Sequence, residues 1–220
     1  MKISLIHPSR GRPQLAHYNY RNWLGKASGN HAIEHWLSLD SNDPELKHYR
    51  KLFKGLTNII TADNHNVVQA TNAAARNVTG NMIIYLSDDF HCPQNWDSEL
   101  VNMVPQQPEY LLWVNDGIQG ANSMLTIPVM SAALHHSLGY FWHPDYESMW
   151  VDVDLWHVCQ RRNVLLSCQH LLFEHKHYSI GKAVYDDTYR EHDNAARQSQ
   201  GRSVFERRKA ADFMTNGVYR

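Results

Sequence analysis

Apolar residues fall in short runs along the chain, and the stretches between the runs repeat with helical spacing. "KISLIH" (2–7) reads as a buried strand, and "PSRGRP" (8–13) is a Pro/Gly turn carrying two arginines. A helix follows through about Lys26. "AIEHWLSLD" (32–40) alternates well enough for a second strand ending in "DSND" (40–43), and "PELKHYRKLFKG" (44–55) has Pro at a helix start and Gly at its stop. "NIITA" (58–62) is a short third strand, after which "NVVQATNAAARNVTG" (66–80) predicts a helix capped by Asn66 and closed by Gly80. "MIIYLSDDF" (82–90) then gives a fourth strand that stops at two adjacent acids. This rhythm predicts an α/β fold, a single domain whose mainly parallel central sheet is flanked by helices. Ligands of such folds bind beyond the carboxyl ends of the strands, and the polar clusters fall there.

The second half is less regular. "EYLLWVNDGIQGANSMLTIPVMS" (109–131) predicts a fifth strand and a polar, flexible loop with Asn115, Asp116, Gly117 and Gly120. "LGYFWHPDYESMW" (138–150) is dense in aromatics that either stack on a ligand or pack over the sheet. "SMWVDVDLWHVCQRRN" (148–163) opens a helix, and its Asp152 and Asp154 are acids of the kind that a first turn favours. In "LLFEHKHY" (171–178) strand alternation puts His175 and His177 on one face. From Thr188 to Arg220, seven Lys/Arg stand against four Asp/Glu in a polar stretch that predicts a helical extension, either a solvated helix or a grip on a polyanion.

Composition narrows the classes. At 220 residues and 43% hydrophobic the chain has room for one substantial core, and its formal charge of −1 supplies no general attraction to nucleic acid or anionic membrane. No apolar stretch has transmembrane length and the N-terminus enters a strand directly, so a cytoplasmic protein is expected. The three cysteines, without CxxC spacing, read as small buried hydrophobes. Neither GxSxG, nor a P-loop, nor GxGxxG occurs, so hydrolase, NTPase and dehydrogenase readings lack their motifs.

Asp88 and Asp89 carry the main chemical signal. Two clustered carboxylates at a sheet edge are costly unless a cation or hydrogen bonds neutralise them. A hard divalent ion suits them, since Mg²⁺ or Mn²⁺ binds through one or two protein carboxylates plus the phosphates of a substrate. The competing reading is that these acids cap a helix starting near Trp96. The segments "ISLIHPSRGRP", "SLDSND" and "NAAARNVTGNMIIYLSDDFHCPQNW", in this order, resemble the opening strand and nucleotide-binding turn, the second-strand Asp and the DXD-type motif of the GT-A fold nucleotide-sugar glycosyltransferases. The closest resemblance is to the large inverting family with many small bacterial and phage members, and it covers residues 1 to about 180. Its DXD pattern departs here in having Ser87 first.

The resemblance implies a GT-A domain over 1–180, with a nucleotide-sugar and metal half (1–105) and an acceptor half (106–180), and a helical extension over 181–220. It implies Asp89 as the metal ligand and Asp88 as a contact to the ribose or to metal-bound water. Asp152 matches the base of the family's "EDxDL" segment, although Val151 stands where its Glu would be. A histidine completes the metal shell in many such enzymes, His175 being the first choice and His177 the second. Pro8, Ser9, Arg10, Arg12 and Asp40 fall on the nucleotide side, and Arg76, one helix before the metal motif, is a further phosphate candidate. The implied activity is metal-dependent (Mn²⁺ or Mg²⁺), inverting transfer from a nucleotide-diphosphate sugar, UDP-linked first, to a hydroxyl acceptor. A glycan or cell-surface precursor ranks first as acceptor and a modified DNA base second. A nucleotidyltransferase and a non-catalytic nucleotide-sugar-binding module are the alternatives.

Overall fold

The computed structural model describes residues 1–118 and 124–213; Gly120 lies outside them. Its strands are β1 (Lys2–Ser9), β2 (Ala32–Asp40), β3 (Ile59–Ala62), β4 (Met82–Tyr85), β5 (Phe90–His91), β6 (Leu111–Asn115), β7 (Pro128–Ser131), β8 (Leu165–Leu172) and β9 (Glu174–His175). The helices are α1 (Pro13–Gly25), α2 (Leu46–Leu52), α3 (Val67–Ala75), α4 (Trp96–Asn102), α5 (Ala132–Leu138), α6 (Val151–Arg161), α7 (Asp187–His192) and α8 (Ala195–Ala210). Seven strands form one sheet in the order β3-β2-β1-β4-β7-β6-β8. Only β7 runs antiparallel to its neighbours β4 and β6. The result is a Rossmann-like α/β domain of GT-A architecture, with helices on both faces and a helical C-terminal extension.

Alternation along the central strands divides the core. Ile6, Ile83, Leu111 and Met130 face one layer with Val68 of α3, Leu134 of α5, Leu155 of α6 and Val204 of α8. Leu5, Ile84, Leu112 and Val129 face the other, against Trp23 of α1 and Trp96 of α4. Strands buried on both faces read as continuous apolar runs, which is why the first four were visible in sequence.

β1 continues two residues past its expected end, through Pro8 and Ser9. The Ile6 carbonyl accepts from Leu86 N–H at 2.9 Å, so Pro8, two residues on, turns its missing N–H to a side where β4 has already ended. No ladder bond is lost. α3 stops at Ala75, well before Gly80, although Asn66 does cap its start by accepting from Gln69 N–H. Gly80 answers a different need, because a Cβ there would lie 2.5 Å from Ser4 Oγ and 2.9 Å from the Lys2 carbonyl. The expected fifth strand is a pair, β6 and β7. The expected strand over 171–178 is also divided, with β8 ending at Leu172 and the two-residue β9 pairing with β5 in a small separate sheet. Most of the aromatics of 138–150 pack: Tyr140, Phe141, Trp142 and Tyr146 are all buried.

The extension is fastened from within. Asp154, 1% exposed, accepts from Arg208 Nε of α8 at 2.5 Å, from its Nη2 at 3.1 Å and from the Tyr146 hydroxyl at 2.9 Å. Asp154 therefore serves the join between α6 and α8. At Gly201 α8 crosses the 149–150 backbone so closely that a Cβ would meet the Met149 carbonyl oxygen at 2.2 Å. Removing one member of a buried ion pair leaves an uncompensated charge. Asp154→Ala is therefore expected to lower unfolding free energy by about 3–5 kcal/mol in a denaturant titration, with Arg208 as the stranded group.

Candidate functional site

A cleft of about 640 Å³ opens at the carboxyl edge of β1, β2 and β4. Pro8, Ser9, Arg10 and Arg12 line it from the turn after β1, Asp40 from the end of β2, Asn64 to Val67 from the start of α3, and Ser87 to Phe90 from the end of β4. Trp150 to Val153 enter from the start of α6, His175 and His177 from β9 and the turn after it, and Thr188, Tyr189, Glu191 and His192 from α7. Residues far apart in sequence thus converge on one concavity.

Asp88 and Asp89 sit at its floor, each 4% exposed. They do not cap α4, whose first turn holds Asp97 and Glu99 instead. They are turned to different partners. Asp88 Oδ1 accepts from His7 Nε2 at 2.8 Å and Oδ2 from the Ser9 hydroxyl at 3.0 Å. Asp89 Oδ2 accepts from the Tyr189 hydroxyl at 2.6 Å and lies 3.4 Å from His175 Nε2. Burial raises the Asp89 carboxyl, but hydrogen bonds and charge from His175, together with Tyr189 and Ser87, outweigh it and hold the group well below the usual carboxylate range. Its Oδ1 is buried with no hydrogen-bond partner among the described residues.

The β5–β9 pairing makes this meeting possible. Phe90 pairs with His175, and Lys176 N–H donates to the Asp89 carbonyl at 2.9 Å, so the imidazole is laid beside the carboxylate by backbone register. His177 is placed otherwise: its Nδ1 lies 2.8 Å from the Ser179 hydroxyl and caps the following turn, with its ring 4.8 Å from that of His175. Among the described residues no group of three or more His, Cys, Asp or Glu is arranged to hold a metal. The orphaned Oδ1 of Asp89, on a carboxylate whose other oxygen lies beside the His175 imidazole, nevertheless fits a divalent ion that takes its remaining ligands from a diphosphate and water.

The arginines of the first turn face acids. Arg10 Nη1 donates to Asp40 Oδ2 at 3.1 Å and to Asn42 Oδ1 at 2.6 Å, and the other Asp40 oxygen accepts from Asn64 Nδ2 at 3.1 Å. Arg12 makes a two-pronged bond to Asp186, 2.8 Å from Nε and 2.5 Å from Nη2, and its guanidinium lies 4.2 Å from the Tyr189 ring centre. Thr188 donates to the Arg10 carbonyl, and Glu191 lies 3.6 Å from Arg10 Nε. α7 is thus clamped over the turn after β1. Sequence reading missed Asp186, Tyr189 and Glu191, because they stand in a polar stretch more than 170 residues from the arginines they meet. Asn64 was missed too, although an Asn just after a strand end was its available signal.

Arg76 is not part of this assembly. It is the exposed C-cap of α3, whose other end lines the cleft, so the helix carries it to the opposite edge of the sheet. Asp152 is in place in the cleft wall. Burial raises its carboxyl above the ordinary value, the Val153 N–H bond at 2.9 Å counters this, and the charge of Asp116 adds to the rise. The side chain of Asp154 is turned away, as described above.

No protein-family model matches the sequence, and no curated protein matches it. Solved structures do match the fold. The chain is similar to S. aureus TarS 1–349 in complex with UDP, with a TM-score of 0.62 at 12% identity over 96% of this chain and 72% of that one. It is similar to the mannosyltransferase PcManGT from Pyrobaculum calidifontis in complex with GDP-Man and Mn²⁺, with a TM-score of 0.59 at 10% identity over 95% and 75%. The catalytic domain of Drosophila β1,4-galactosyltransferase 7, in complex with xylobiose, matches with a TM-score of 0.56 at 10% identity over 76% and 65%. Two further TarS structures are longer than the match: the chain spans 60% of one and 37% of the other. At these identities the likeness concerns the fold alone.

The raised carboxyl of Asp152 has a consequence for stability. A carboxylate whose folded pKa lies above its unfolded value favours the native state below the unfolded pKa, and that contribution is lost as pH rises through the folded one. Asp152→Asn, which removes the desolvated charge, is therefore expected to melt above the wild type at neutral pH. The difference should close as the pH falls below the ordinary carboxylate range, and thermal unfolding across pH checks it.

Proposed function

We propose that the chain is a metal-dependent glycosyltransferase that moves a sugar from a nucleotide-diphosphate donor, UDP-linked first, to a hydroxyl acceptor with inversion. The observation that carries this reading is the convergence of Asp40, Asp88, Asp89 and Asp152 on one cleft whose nucleotide side also holds Arg10 and Arg12. The fold likeness supports it. The UDP complex of TarS and the GDP-Man and Mn²⁺ complex of PcManGT have the same architecture.

On this reading Asp40 and Asn64 face the nucleoside, and Asp88 accepts hydrogen bonds from the ribose or from water at the metal. Asp89 and His175 would hold Mn²⁺ or Mg²⁺. The bound ion neutralises charge that grows on the leaving diphosphate as the glycosidic bond breaks. Arg10 and Arg12 carry the fork geometry that suits phosphate oxygens; here the Arg12 fork is occupied by Asp186, while Arg10 bonds Asp40 and Asn42 and has Glu191 3.6 Å from its Nε. Across the cleft Asp152 accepts the proton of the attacking hydroxyl, and its raised pKa makes it a better base than an exposed carboxylate. The acceptor attacks the face opposite the leaving diphosphate, so an α-linked donor gives a β-linked product.

A glycan acceptor ranks ahead of modified DNA. Four basic side chains of the extension, Arg190, Arg197, Arg207 and Arg208, are engaged with Asp187, Glu147, Asp145 and Asp154, which leaves less positive charge for a polyanion. Among the described residues no helix is long and apolar enough to cross a membrane.

Incubation with nucleotide sugars, Mn²⁺ and a panel of hydroxyl acceptors should release nucleoside diphosphate; release of pyrophosphate from a nucleoside triphosphate and a sugar phosphate instead would identify a nucleotidyltransferase, and no release from either mixture a binding module. Asp89→Ala is expected to abolish metal-dependent turnover and also to lower stability at neutral pH, because it leaves the Tyr189 hydroxyl without its acceptor and His175 without its acid. Near wild-type activity of that variant with Mn²⁺ would remove Asp89 from the metal site. Asp152→Asn should lower the rate by roughly 10² or more while leaving donor affinity nearly unchanged. A product that keeps the donor's anomeric configuration, read by NMR, would take Asp152 out of the base role.

A further inference from the structure

Two histidines are buried in the middle of the parallel sheet, where the neighbouring positions are apolar. His7 of β1 is fully buried and His35 of β2 is 3% exposed. In the register of the two strands His7 stands opposite Leu37 and His35 opposite Leu5, which makes the histidines diagonal neighbours on one face. His35 Nε2 lies 3.0 Å from His7 Nδ1, and His7 Nε2 lies 2.8 Å from Asp88 Oδ1. The far end of the chain is closed by packing: the His35 ring lies against Tyr20 and Phe53, and its Nδ1 is buried with no hydrogen-bond partner among the described residues.

That orphaned nitrogen decides the protons. Buried N–H groups without acceptors are rarer than under-used acceptors, so Nδ1 of His35 carries no proton and its Nε2–H points at His7. Burial, and then the neighbouring His7, keep the His35 ring neutral. His7 Nδ1 must then accept, which leaves the His7 proton on Nε2, directed at Asp88. The other Asp88 oxygen is taken by Ser9, whose hydroxyl lies 2.6 Å from that of Tyr49, and Tyr49 in turn accepts from Arg12 N–H at 2.9 Å. Asp88 is therefore gripped on both oxygens by alternate residues of one strand, with its remaining lone pairs free to meet the cleft it lines.

We propose that His7 is a positioning residue for the nucleotide: relayed by His35, it donates one fixed N–H to Asp88 and keeps that carboxylate aimed at the donor. The donor half of this statement rests on the transferase reading above. The relay half does not. A buried polar pair in a strand core costs several kcal/mol if left unsatisfied, and packing alone would be served by apolar residues at both positions. The pair instead ends on the one carboxylate that this reading gives to the ribose.

The first measurement needs neither variant nor ligand. Two-dimensional ¹H–¹⁵N NMR of the histidine rings in the wild-type protein should show His7 and His35 both as neutral Nε2–H tautomers at neutral pH. An Nδ1–H tautomer or a doubly protonated ring at either position overturns the relay. The second is calorimetric titration with UDP and Mn²⁺. His7→Leu should weaken UDP binding roughly tenfold or more, the scale of one hydrogen bond to a charged group. His7→Gln, whose amide N–H can reach the same oxygen, should restore most of it. Equal affinity in wild type and His7→Leu, or equal loss in both variants, overturns the positioning role. If His7→Leu does not fold, His35→Phe, placed beside Tyr20 and Phe53, replaces it and should release the His7 tautomer and weaken UDP binding; a wild-type affinity there overturns the role. A wild-type protein that binds no UDP overturns the transferase reading and the donor half together, while the tautomers still decide the relay.

Discussion

Two adjacent carboxylates at the end of a buried strand repel each other and have lost most of their water, and much of this structure exists to compensate them. Asp88 and Asp89 are each 4% exposed. Both acids lie in the turn between the end of β4 at Tyr85 and the start of β5 at Phe90, and they are met by different groups. Asp88 turns into the sheet, where His7 and Ser9 of β1 hold it. Asp89 turns toward the later part of the chain, where His175 and Tyr189 hold it. One oxygen of Asp89 is left without a hydrogen-bond partner among the described residues.

The need to bring partners to Asp89 explains features that the sheet alone does not require. β8 would be sufficient to finish the sheet. The chain nevertheless goes on to form β9 against β5, and the pairing of Phe90 with His175 sets the imidazole beside the acid. α7 then lays Tyr189 on the same carboxylate and Asp186 on Arg12. Burial and the negative charge of Asp89 push the Tyr189 hydroxyl well above its ordinary pKa, so it remains a proton donor toward Asp89. The first turn and the last helices are in this way tied through the site, and the Asp154–Arg208 pair anchors α8 behind them.

What could be read from sequence and what could not separate along the same line. Strands 1 to 4 and their helices were legible because each buries an apolar face with a local period, and Asn66 could be recognised as a cap because capping is a three-residue event. The acids Asp40, Asp88, Asp89 and Asp152 could be gathered because each ends a strand or opens a helix, positions that a parallel sheet sends to one edge. Long-range partners carry no such mark. Nothing near Tyr189 announces Asp89, nothing near Asp186 announces Arg12, and Arg76 looked suitable only because helix direction was not followed to its far end. His7 was visible as the last letter of an apolar strand, but its role depends on His35 in the neighbouring strand and on Asp88 a further strand away.

The same geometry bears on how the cleft accepts a ligand. The fork of Arg12, which suits phosphate, is held by Asp186, the Glu191 carboxylate stands 3.6 Å from Nε of Arg10, and the Asp89 oxygen nearest His175 is held by Tyr189. Anionic side chains of α7 and the segment before it therefore stand where the transferase reading puts an anionic diphosphate. A diphosphate entering with a divalent ion would bring both the anion that replaces these carboxylates and the cation that replaces the Tyr189 proton. Exchange of one set of partners for the other leaves no charge uncompensated, so a polar, partly exposed helix can cover the site without sealing it. The deeper partners of Asp88 lie below that exchange, fixed in the sheet, and give the cleft a floor that stays in place while its cover is replaced.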